Sequence, residues 1–395
     1  MAASVILTAD AAAEAVAGYS AVALAEAGGD AILPYLPTGS DGSGEVTRRS
    51  VLAVHNLDDV ERTFEVRLVG ASGACMGVQD SRTPAVPANG AVAIDIATVA
   101  GALGANCVVA ARVVAHPGVH LASAGIVWGR DGDGGIRTFS AYEARPASAA
   151  RSDLVVPAFV AAYGRLSASR LWLFNPGKLA ATATIQLLDH EYHAVPCPTT
   201  CQVTVPPEGA AMFGDLPDDG SIVGRHPEVA AVTADQPLLV AAVDPRLAMA
   251  DDAISFASGD ADAPRRWLPF AGHFGRFGPL PTPPSVPTPS PHAWPTPRPA
   301  EGLDATGASA VHAYNPTSIE QPWQPHVYPP AGEPIVPTPD AMPTQSIRSL
   351  YLPSMRIVPR GAHALRMDAP ALTALTTTSW NGTNALVRRR PDSRR

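Results

Sequence analysis

Lysine is almost missing from this chain. Lys178 is the only one among 28 basic residues in 395, and the net charge is −8. A weakly acidic protein without a basic stripe lacks the electrostatic footprint of a nucleic-acid binder. The terminal "LVRRRPDSRR" is a local basic tail, read as a solvated end. Charged residues make up only 16% of the chain, while 46% is hydrophobic, so there is apolar material for buried cores and disorder throughout is excluded. No run of about 18 apolar residues occurs, which excludes a hydrophobic membrane helix. The first thirty residues are apolar, but Asp10 and Glu14 interrupt them and the first arginine is Arg48. They therefore lack the pattern of a signal peptide.

Catalytic signatures are also missing. There is no G-x-S-x-G, no P-loop, no H-E-x-x-H and no G-x-G-x-x-G after a strand. The one cluster with catalytic residue types is "DHEYH" at Asp189–His193, whose histidines and carboxylates could bind a metal or move protons. It falls between two apolar alternating runs, which makes it a hairpin tip in water. "SDGSGE" (Ser40–Glu45) and "RDGDGG" (Arg130–Gly135) resemble pieces of calcium loops without the full oxygen spacing, and Asp-Gly is a common hairpin turn. No catalytic, cofactor or metal residue is assigned.

What the chain does have is proline, 41 residues of it, and a pattern that repeats. A strand ending in asparagine occurs at Asn56, Asn175 and Asn315. A Pro-x-Gly corner follows in "VPANGAVAID" (Val86–Asp95), "VPPEGAAMFGD" (Val205–Asp215) and "VPRGAHALRMD" (Val358–Asp368). A small apolar strand with a turn comes next, in "CVVAARVVAHPGVHLASAGIVWG" (Cys107–Gly129) and "VAAVTADQPLLVAAVD" (Val229–Asp244). By subtraction of residue numbers, Asn56 to Asn175, Gly90 to Gly209 and His116 to Asp235 are each 119 positions. The third copy is stretched, with Asn175 to Asn315 at 140 and Gly209 to Gly361 at 152. An apolar pair followed by proline opens each copy: "AILPYLP" from Ala31, "LVVPAF" from Leu154 and "RWLPFAG" from Arg266.

The runs alternate with period two. In "RTFEVRLV" (Arg62–Val69), Phe64, Val66 and Leu68 face one way while Thr63, Glu65 and Arg67 face the other. Helical periodicity is scarce. "VILTADAAAEAVAGYSAVAL" (Val5–Leu24) matches the last feature of a repeat, so strand-turn-strand is expected there despite its alanines. Short strands cut by Gly and Pro corners indicate an all-β chain of tandem antiparallel β-sandwich domains. Residues 1–30 are the C-terminal strands of an incomplete repeat, or a strand donated to a neighbour. Residues 31–150, 151–263 and 264–395 are repeats 1, 2 and 3, the last irregular with a Pro-rich insertion at 279–300. That insertion holds ten prolines in the 21 positions from Pro279 to Pro299, which points to extended polyproline II. At the other end, "NGTNALVRRRPDS" resembles "LGANCVVAARVVAHP" and then stops, so repeat 3 is expected to lack its final strand or two. Two explanations fit the ends. The chain is a fragment of a longer gene product, or the N-terminal strands of one molecule complete the last repeat of the next, a route to a head-to-tail filament.

Each recurrent asparagine has a structural reading, because Asn at a strand exit bonds local backbone and closes the loop. Cys75 with Cys107, and Cys197 with Cys201, fall two per repeat. They read as disulfide candidates of an oxidising compartment, or as four buried thiols.

The order of an apolar strand ending in Asn, an alternating strand, a Pro-Gly corner and "VTADQPLLVAAV" resembles the tandem immunoglobulin- or fibronectin-III-like β-sandwich repeats of secreted bacterial surface proteins. The residues that carry the resemblance are Pro157, Asn175, Pro207 with Gly209, and Gln236-Pro237-Leu238. It implies a non-catalytic structural or adhesive part of the cell exterior, with self-association, other surface proteins or glycans as partners and no cofactor. The alternative is an array of carbohydrate- or ligand-binding modules. Exposed Trp172 or Trp128 on a sheet face favours the binding array, and buried ones favour the structural role.

Overall fold

The structure is a computed structural model. It describes residues 4–8, 16–20, 28–40, 47–72, 75–77, 79–99, 107–130, 136–156, 170–188, 194–195, 197, 200–214, 229–246, 251–256, 265–273, 277–279, 297–299, 308–315, 318–329, 332–337, 340–344, 346–351, 357–358, 361–368 and 374–380, at some strand positions by backbone alone. The protein is all-β. Every strand pairing is antiparallel, and α-helix among the described residues is confined to Ile96–Val99.

Hydrogen bonding gathers most strands into three sets in chain order: nine strands between Asp30 and Pro146, eight between Arg151 and Phe256, and seven between Arg265 and Trp380. In the first set, Cys107–Val114 lies between Asp30–Ser40 and Glu65–Ser72. A second ladder runs through Thr47–Asn56, which lies between Leu121–Arg130 and Ala91–Asp95. The ladders meet where Gly39 and Ser40 pair with Arg48 and Thr47. Period-two alternation explains the core. Phe64, Val66 and Leu68 point inward to meet Leu52, Val54 and Val109 from the other strands, and all six are buried. Each such side chain contributes roughly 1.5–3 kcal/mol through burial. Gly125 makes room for one larger inward residue. A Cβ there would lie 2.8 Å from the Tyr142 ring, whose buried hydroxyl donates to the Tyr35 carbonyl.

The second set has its own core, built from Leu171, Leu173, Ile185, Leu187, Val232 and Val240. Ala181–Leu188 alternates buried and exposed as far as Gln186. Here one 18-residue strand, Val229–Arg246, does the work of two strands of the first set. Its first half pairs with Arg151–Val156 and Ala181–Leu188, and its second half with Arg170–Phe174 and Asp251–Phe256.

The third set corrects two readings of the sequence. In "VPRGAHALRMD", Pro359 and Arg360 lie outside the described residues, and the rest of the string does not repeat the place of "VPANGAVAID". Gly361–Asp368 is a strand between Arg265–His273 and Gln321–Tyr328, the place that Cys107–Val114 occupies in the first set. The strand corresponding to Leu121–Arg130 is Ala374–Trp380, which pairs with Ala308–Asn315. Both strands therefore lie upstream of "NGTNALVRRRPDS", whose residues 381–393 are outside the described ones. The Pro-rich insertion is not polyproline II at its ends, because Phe277–Pro279 pairs with Pro297–Pro299 as a short ladder. Near the N-terminus, Ser4–Thr8 and Val16–Ser20 form an antiparallel strand pair with Ser4 opposite Ser20, and residues 9–15 between them lie outside the described ones.

Candidate functional site

Two arrangements concentrate the polar chemistry of the described residues: the asparagine at the end of each central strand, and the joint between the first two sets.

Asn56, Asn175 and Asn315 are fully buried. Asn56 Nδ2 donates to the carbonyls of Val60 (2.7 Å), Val86 (3.3 Å) and Pro87 (3.0 Å), while its Oδ1 accepts from Asp58 N–H (3.0 Å). Asn175 repeats this with Leu179 (2.7 Å), Val205 (3.3 Å) and Gly177 N–H (2.9 Å). Asn315 donates to Ile319 (2.8 Å), Met342 (3.3 Å) and Pro343 (3.0 Å). One side chain thus ties the turn after its own strand to a corner some thirty residues on, satisfying carbonyls that burial would otherwise leave unpaired. The corner is shared as well. Gly90 N–H donates to Pro87 and Gly209 N–H to Pro206, with Asn89 (φ 50°) and Glu208 (φ 47°) left-handed between them. A Cβ at Gly209 would lie 2.9 Å from Pro206 Cβ, so glycine is required by crowding. The proline that closes this corner is Pro206, not Pro207. In the third set the corner is at Met342-Pro343, not at Gly361.

The joint is apolar at its centre. Ile32, Tyr35, Ala71 and Ala110 of the first set form one buried cluster with Trp172, Phe174, Leu239 and Val243 of the second. The Tyr35 and Trp172 rings are 5.4 Å apart and tilted by 42°, a geometry that aromatic pairs favour. An ionic rim flanks the cluster. Arg112 makes a two-pronged contact with Asp30 (both 2.8 Å), and its Nη1 reaches across to Glu208 Oε1 (3.2 Å) and the Pro176 carbonyl (3.2 Å). Arg67 also reaches Glu208, at 3.4 Å. The hydrogen bonds that Arg112 donates to Asp30 hold its guanidinium above its usual pKa, and the one Arg67 donates to Glu65 does the same for Arg67.

The aromatic test gives a definite answer at Trp172, which is buried at 2% exposure in the joint; Trp128 is half-buried. The four cysteines form two pairs at disulfide distance, Cys75 with Cys107 and Cys197 with Cys201, each with Cα atoms 5.9 Å apart. "DHEYH" (189–193) lies outside the described residues; the strands flanking it are antiparallel partners, with Leu188 opposite Ala194. Residues 41–45 and 131–135 of the two Asp-Gly segments, and Pro157, also lie outside. Among the described residues, no group of three or more His, Cys, Asp or Glu is arranged to hold a metal, and no helix is long and apolar enough to cross a membrane. A cavity of about 30 Å³ beside Asp30, Ser123, Glu143 and Arg145 has the size of a single water.

Sequence reasoning missed Arg112 and Glu208. The signal was present: Arg112 is the one charge inside "CVVAARVV", where a buried-strand pattern calls for an apolar residue or a paired ion. No protein-family model, curated protein or solved structure matches this chain.

Proposed function

We propose that this protein is a non-catalytic structural or adhesive component of the cell exterior, built from consecutive β-sandwich units of the kind found in secreted bacterial surface proteins. The observation that carries this reading is the fate of Trp172. An aromatic side chain of the kind that stacks on a sugar or another flat ligand is here spent inside the joint, against Tyr35. The asparagine ties support it too, because they use a polar side chain wholly on local backbone and leave no donor for a ligand. Cysteine pairs at disulfide distance agree with an oxidising compartment. Two tests address the reading together. Fractionation of the native source with a specific antibody is expected to find the protein in the surface or extracellular matrix fraction, and a glycan array is expected to show no specific binding. A soluble cytoplasmic pool with free thiols, or saturable binding to a defined glycan, refutes it.

A further inference from the structure

The joint brings together two different kinds of face. The first set contributes the outer face of Asp30–Ser40, Glu65–Ser72 and Cys107–Val114; the second contributes that of Arg170–Phe174, Ala210–Phe213 and the later half of Val229–Arg246. Strand register identifies the counterpart of each face elsewhere in the molecule.

In the second set, Trp172 lies between Met212 and Ala241, and Phe174 between Ala210 and Leu239. At the same places in the first set, Ala53 lies between Ala93 and Ala124, and His55 between Ala91 and Ala122. On this counterpart His55, Ala91 and Ala93 are exposed, while Ala124 is buried. The loop after Asn56 rims it with Asp58 and the exposed Asp59.

The receiving face also has a counterpart. Arg112 lies in register between Ile32 and Arg67. In the third set Arg366 lies between Trp267 and His326. The same one-residue bulge precedes both, from Leu33 to Leu36 and from Leu268 to Ala271. The second set has Val155, Ala231 and Gln186 in these places, so the guanidinium recurs only in the third. Arg366 bonds Asp368 at 2.9 Å and lies over the Tyr328 ring at 5.8 Å; Arg366, His326 and Tyr328 are all partly exposed.

We propose that the Ala53–His55–Ala93 face of one molecule docks on the Arg366–His326–Tyr328 face of a second copy, repeating the internal joint between molecules. This rests on reading the sets as copies of one unit. In the internal joint Arg112 reaches Glu208 and the Pro176 carbonyl, both beside Asn175. By register, Arg366 of a docked copy meets Leu57 and the uncharged Asn89, the counterparts of Pro176 and Glu208, and the negative charge comes from the exposed Asp59 in the loop beside Asn56, because Asp58 is already paired with Arg62 and His120. The two faces differ, so the contact is heterologous and propagates as a filament or closes into a ring.

Sedimentation velocity on the full chain over a concentration series tests this. Association should rise with concentration and weaken as salt is added. A93R, at an exposed position, should abolish it. D59R and R366D should each weaken it about tenfold, and mixing the two variants should restore it because the reversed charges meet. A wild-type chain that stays monomeric throughout, or one whose association ignores A93R and D59R, overturns the proposal. The emission of Trp172, read as the difference between each protein and its W172F variant because the chain has six tryptophans, separates this failure from failure of the underlying reading. A monomer whose tryptophan emission stays blue-shifted, and shifts red in R112A, keeps the internal joint; an emission indifferent to R112A counts against the stacked units themselves.

Discussion

Replacing Asn175 with alanine removes a buried amide that no neighbour can substitute. Two carbonyls, of Leu179 and Val205, lose their Nδ2 donor, and Gly177 N–H loses its acceptor. Each lost bond costs about 1 kcal/mol net, and leaving the buried Val205 carbonyl unpaired adds a further 1–3 kcal/mol. The expected loss is thus about 4–6 kcal/mol, read from the urea midpoint of the tryptophan fluorescence transition, with Trp172 three residues away as a local probe. N175D sharpens the test. It keeps the acceptor for Gly177 but places carboxylate oxygen against two carbonyls, so burial and repulsion raise its folded pKa above the roughly 3.9 of an unfolded aspartate. The penalty is then absent below about pH 4, where the side chain is protonated in both states, and grows as pH rises toward the folded pKa. N175D should be closest to wild type in acid and furthest from it at neutral pH. A midpoint for N175A within error of wild type, or a pH-independent deficit for N175D, refutes the account of the tie.

Three further outcomes follow from the joint, the carboxylates and the sulfurs. R112A should cost about 1–2 kcal/mol, discounted for partial solvent screening because Asp30 and Glu208 are each about 40% exposed, and E208Q should cost less; double-mutant analysis by urea denaturation checks both. Asp58 has its pKa lowered, first by the His120 hydrogen bond, and Glu65 has its pKa lowered, first by Arg67. Their contributions are present above about pH 4 and are lost as pH falls through the lowered folded values, so acid titration of D58N should show a shallower loss than wild type. Opening Cys75–Cys107, 32 residues apart, should cost about 4 kcal/mol, and opening Cys197–Cys201, 4 apart, about 2 kcal/mol, from loop-closure entropy; paired Cys-to-Ser variants compared by thermal melting report the difference.

Much of the architecture was legible because local pattern and long-range structure agree. Val66 and Leu68 alternate with Arg67, and the strand buries them as the alternation requires. The three asparagines stood out for the same reason: an amide at the end of an apolar strand must find backbone partners. The third set misled because its corner carries neither Val-Pro nor Gly. Asn315 reaches Met342 across 27 positions where Asn56 reaches Val86 across 30, so the shortened corner is invisible and the glycine of a true strand, Gly361, took its place in the alignment. The joint could not be read at all. Which faces meet depends on how two finished surfaces fit, and neither the period of a strand nor the residues of a turn encodes that.

Among the described residues, no backbone ladder crosses from the first set to the second; side chains alone knit them together. A pull along the chain would therefore part tyrosine from tryptophan, and arginine from glutamate, before any sheet began to unzip. Slack would be released in a small early step while both sheets stayed whole, and the seam could close again once the load was gone.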